Sequence, residues 1–106
     1  MPKYLVQASY NAEGVKGLLK DGGSKRRSVV EQSVKALGGR VEAFYFSFGD
    51  ADSLVIVDVP DNVSAAALSF AVNASGTVTL KTTPLLTPDE VDQAAKKSVT
   101  YHPPGE

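Results

Sequence analysis

Between Gly39 and Gly76 the chain reads GRVEAFYFSFGDADSLVIVDVPDNVSAAALSFAVNASG, and its order of breakers and apolar runs leaves few folds open. Gly38-Gly39 closes a preceding helix, because glycine takes the left-handed C-terminal cap without a steric penalty. A strand follows from Arg40 to about Phe48, with Phe44, Phe46 and Phe48 alternating on one face and Val41, Ala43 and Tyr45 on the other. Gly49-Asp50-Ala51-Asp52 makes a turn and Ser53 to Val59 a further strand, so the two should form a hairpin. Pro60 stops that strand, Asp61 or Asn62 caps a helix through about Ala74, and Ser75-Gly76 ends it.

The flanking segments complete the pattern. Lys3 to Tyr10 is rich in aromatic and branched residues and reads as the first strand. Asn11-Ala12-Glu13-Gly14 reads as a turn with a short helix carrying Val15, Leu18 and Leu19. After the Asp21-Gly22-Gly23-Ser24 break, Ser24 or Ser28 should start the main helix, with Ser28 and Glu31 spaced as a capping box. Val30, Val34 and Leu37 give it one buried stripe, while Lys25, Arg27, Glu31 and Lys35 stay in water. Thr77 to Thr83 is the fourth strand. Thr87-Pro88-Asp89-Glu90 starts a last helix holding Val91, Ala94 and Ala95. The Pro-rich tail from Tyr101 to Glu106 has no regular structure to offer, so residues 1–100 are expected to be a single domain.

The order β-α-β-β-α-β plus a C-terminal helix predicts an α+β, ferredoxin-like fold: a four-stranded antiparallel sheet with helices on one face. The bare face should then be polar. It is not, since Leu54-Val55-Ile56-Val57 has no polar alternation and the preceding strand is apolar on both faces. A face-to-face homodimer or higher homo-oligomer, two sheets closing into a dimeric α+β barrel, is the expected solution.

Eleven basic against twelve acidic residues give no reason to expect a nucleic acid or an anionic membrane as partner. The absence of cysteine excludes disulfides, thiolate metal sites and thiol nucleophiles. Met1-Pro2-Lys3 enters a strand directly with no signal peptide ahead of it, and no apolar run approaches a membrane span; the expected location is cytoplasmic.

Several motifs carry a family likeness. They are Tyr10-Asn11-Ala12-Glu13-Gly14, Leu37-Gly38-Gly39, Phe44-Tyr45-Phe46, Gly49 before an acidic turn, Val59-Pro60-Asp61, Ala74-Ser75-Gly76 and Leu86-Thr87-Pro88. Over residues 3 to 91 the chain resembles the GYD-domain family, small proteins of poorly defined function related in fold to the dimeric α+β barrels. It departs from the family's Gly-Tyr-Asp signature, because Ala51 stands where the tyrosine is expected while Asp52 keeps the acid. Any chemical role of that tyrosine is missing here.

The candidate site residues are few. Asp50 and Asp52 have the spacing of a carboxylate pair, but aspartates more commonly occupy turns to bond their own backbone. Gly22-Gly23-Ser24-Lys25-Arg26-Arg27 sets cations at a helix start, where an anion site competes with the commoner solvated basic turn. Tyr4, Tyr10, Tyr45 and Phe46 are the candidate ligand-binding residues, able to wall an apolar pocket with phenol groups orienting a ligand, although core or interface packing is the usual duty of such rings. Gln7, Ser9 and Ser47 are polar strand residues that would turn toward the same space. His102, the single histidine, lies in the tail, so neither a zinc site nor a Ser-His-Asp triad is supported within one chain, and no cofactor is expected. The sequence therefore points first to a small-molecule-binding or accessory homo-oligomeric module. The family resemblance allows a cofactor-free enzyme instead, of small monooxygenase or isomerase type. A structural oligomerisation protein is the third reading.

Overall fold

A computed structural model covers residues 1–106. Its elements run β1 (Lys3–Tyr10), α1 (Ala12–Asp21), α2 (Gly23–Ala36), β2 (Arg40–Phe46), β3 (Ser53–Asp58), α3 (Asn62–Ala74), β4 (Val78–Leu85) and α4 (Pro88–Ala95). The strands form one antiparallel sheet in the order β2-β3-β1-β4. This is the ferredoxin-like arrangement expected from the split βαβ pattern.

The period-two alternation of β1 sorts the sheet into two faces. Tyr4, Val6 and Ala8 are buried, whereas Lys3, Leu5 and Gln7 are half-buried. On β3, Val57, Val55 and Ser53 stand opposite Tyr4, Val6 and Ala8, and these six side chains face the helices. Val34 of α2, Ala65 of α3 and Val59 complete the buried cluster. Val34 and Val59 are fully enclosed, and burial of such a side chain is worth roughly 1.5–3 kcal/mol. Gly39 lets β2 start against this cluster. A Cβ there would lie 2.2 Å from the Asp58 carbonyl oxygen, a distance no side chain can occupy.

Local bonds pin the ends of the elements. Asn11 caps α1 by accepting the Gly14 N–H at 2.9 Å, and its Nδ2 donates to the Gly76 carbonyl at 2.8 Å. Asp61 caps α3 by accepting the Ser64 N–H at 2.8 Å, and the Tyr4 hydroxyl bonds the Asn62 side chain in the same turn. Thr87 and Glu90 form the expected capping box of α4.

At several points the structure corrects the sequence reading. The segment after Asn11 is a full helix, and α2 begins at Gly23, so Ser28 lies inside it and caps nothing; Glu31 instead pairs with Arg27 at 3.0 Å. The β2 register shifts between Val41 and Ala43. The extra residue of that bulge reverses the alternation, so Val41 joins Phe44 against the core while Ala43 and Tyr45 face away. β2 ends at Phe46, leaving Phe48 fully exposed in the hairpin loop. β4 continues through Pro84 to Leu85, which an edge strand tolerates because one side of it needs no backbone donor.

Candidate functional site

The helix layer does not close over the sheet. α2 packs on β2 and α3 on β4, while α2 and α3 scarcely meet. Between them runs a cleft with alanine, leucine and valine walls. Its outer part, about 480 Å³, lies between Ala36 and Leu37 of α2 and Ala67, Leu68 and Ala71 of α3. A middle part of about 240 Å³ passes Val30, Ser33 and Val72. The innermost pocket, about 40 Å³, reaches the sheet at Val6, Ala8, Val55 and Val57. Leu68 and Val72 line all three parts, so the three adjoin along one edge of α3.

Local sequence explains the gap. α3 carries Ala65, Ala66, Ala67 and Ala71, and the sheet beneath offers valines and Ala8, so no long side chain fills the middle of the layer. Space of this size and lining is what small-molecule sites have, provided a few polar groups converge on it.

Ser33, Ser75 and Thr77 line its middle part, and one charged group joins them. Arg26 lines both the middle and the inner part of the cleft. It is half-buried, and its side chain makes no ion pair or hydrogen bond. Its neighbours are matched: Lys25 lies 3.7 Å from Asp21 and Arg27 3.0 Å from Glu31. The basic turn thus divides, with two cations paired at the surface and one unpaired beside the cleft. On its other side Arg26 borders a polar hollow of about 270 Å³ containing Glu13 and Asp21, whose carboxylates pair with Lys16 and Lys25.

The aromatic candidates are distributed differently. Tyr4 is buried on the helix-covered face, and Tyr10 is half-buried on the same face with its hydroxyl 3.5 Å from Ser53 Oγ. Phe46 also lies on that face, stacked edge-on against Phe44 with ring centres 5.2 Å apart and resting on Gly23. Tyr45 projects from the opposite face and is exposed. The structure does not gather these four around one space. Asp52 accepts the Tyr10 N–H at 2.7 Å while its own N–H donates to the Ala8 carbonyl, so it ties the hairpin turn to the end of β1. Asp50 is exposed beside it.

The uncovered sheet face carries Leu5, Leu54, Ile56, Ala43 and Tyr45. At its β2–β3 end sits a charged group centred on Asp58, which is 3 % exposed. Lys3 Nζ donates to Asp58 Oδ1 at 2.8 Å and to Glu42 at 3.0 Å, and Arg40 approaches Oδ2 to 2.9 Å without a well-directed hydrogen bond. The Asp58 bond, then the Glu42 bond, hold the Lys3 ammonium above its ordinary pKa.

Sequence reasoning named Arg26 within the basic run as a possible anion site but did not separate it from Lys25 and Arg27, and it missed the α2–α3 cleft. The available signal was the alanine content of α3, which leaves its flank toward α2 short of volume.

The molecule is thus a small α+β domain of ferredoxin-like topology with a split helix layer. It belongs to the GYD domain family, whose model matches residues 4–95. Comparison with curated proteins gave no match, and comparison with solved structures gave none either.

Proposed function

We propose that this protein is a small-molecule-binding module that works as a homo-oligomer, with the ligand in the α2–α3 cleft and the copies joined through their uncovered sheet faces. The cleft carries this reading: adjoining, mostly apolar spaces between α2 and α3 that share Leu68 and Val72, with one unpaired cation beside them. The assembly part rests on Leu5, Leu54, Ile56 and Tyr45, large apolar side chains that the single chain leaves without a covering layer.

Titration with Nile red, an uncharged apolar dye, tests the site. Saturable binding of one dye per chain is expected, lost in Ala71→Phe, which fills the outer cleft from an exposed position. Binding that never saturates, or that survives Ala71→Phe in a folded protein, would overturn the assignment.

A further inference from the structure

The charge of the ligand can be read from Arg26. A guanidinium carries a fixed positive charge and five donors in a fork suited to a planar anion. Arg26 offers that group beside the cleft: it is half-buried, borders the middle part, and makes no ion pair or side-chain hydrogen bond. The contrast with Lys25 and Arg27, each matched to an acid one turn away, marks it as the unpaired member of the basic run.

We infer that the cleft takes a single-tailed amphipathic carboxylate, its head group on Arg26 and its aliphatic chain between Leu68 and Val72; this rests on the cleft being the binding site. A planar carboxylate meets a guanidinium fork with two parallel hydrogen bonds. The walls around Leu68 and Val72 are mostly alanine, leucine and valine, and the Ser33 hydroxyl among them already donates to the Val29 carbonyl, so methylene groups are the tail's natural content. The head group carries one charge rather than two. Glu13 and Asp21 border the hollow on the other side of Arg26, and their carboxylates oppose a dianion such as phosphate more strongly than a monoanion.

Isothermal titration with decanoate and with decanol, probes of equal chain length, separates charge from apolar fit. Decanoate is expected to bind at least tenfold more tightly than decanol to the native protein. Arg26→Gln should remove that preference while decanol binding persists, which also shows the variant is folded. Arg27→Gln removes the same charge from a surface pair and should leave the preference intact. Equal binding of the two probes would overturn the carboxylate assignment and leave the cleft reading standing. A preference lost equally in Arg27→Gln would mean net charge alone, also overturning it. Binding of neither probe would bring down both.

Discussion

The two faces of the sheet are built from alternate residues of the same strands, yet they meet different surroundings. The face under the helices buries Tyr4, Val6, Ala8, Val55 and Val57 with Phe44 packed against them, and a cleft runs between α2 and α3 above it. The face that the single chain leaves bare uses Leu5, Leu54, Ile56 and Tyr45. Each buried methylene adds about 0.8 kcal/mol, so Leu5, Leu54 and Ile56, only half-buried in the single chain, forgo stabilisation that covering this face would supply. The contrast is between a face the chain covers itself and an apolar face it leaves bare. Asp58 sharpens the contrast, because a buried carboxylate held by Lys3 and Arg40 at the rim of the bare face gives that surface a polar border.

Adjacent residues of β3 give the strongest test of this contrast. Ile56→Asp should abolish self-association, weakening it at least a hundredfold in sedimentation velocity, while far-UV circular dichroism shows the chain still folded. Val57→Ala, one position along but under the helices, should leave the assembly intact and cost about 2 kcal/mol in urea unfolding. Asp58→Asn should cost less, roughly 1–2 kcal/mol, because Lys3 and Arg40 keep partial access to water and can turn outward. Tyr4→Phe should cost about 1 kcal/mol by removing the bond to Asn62, whereas Tyr45→Phe should leave the unfolding of the separated monomer unchanged. The smallest effect is acid sensitivity at the helix starts. Backbone and side-chain bonds from Ser64 hold the Asp61 carboxyl below its ordinary value, and those from Thr87 do the same for Glu90. Their stabilisation is therefore present above the ordinary carboxylate range and is lost as pH falls through the depressed values. A dichroism titration should show α3 and α4 starting to fray only below about pH 4.

Much of the fold is legible in the sequence because its punctuation is local. Gly38-Gly39, Pro60-Asp61 and Thr87-Pro88-Asp89-Glu90 mark element ends through cap and turn chemistry, and the structure has each of them at an element boundary. The β2 bulge was not legible: Glu42 is inserted by the pairing with β3, and a pattern of alternating residues carries no trace of a partner strand's register. The start of α2 was misread for a related reason. Serine at position 28 has the right spacing for a cap, but the chain nucleates the helix earlier, at glycines with no cap signature. The cleft escaped because it is a deficit of volume between α2 and α3, elements far apart in sequence, and the aromatic residues that drew attention serve packing on two different faces. Arg26 looked the same as Lys25 and Arg27 until the helix phase turned it inward.

Native mass spectrometry of freshly purified protein, set beside the same sample denatured, tests the central claim most directly. The account predicts a dimer or larger multiple of the 11.1 kDa chain carrying extra mass that leaves on denaturation, with a carboxylate of aliphatic composition as its identity. A clean monomer at micromolar concentration would contradict it, leaving Leu54 and Ile56 without a partner.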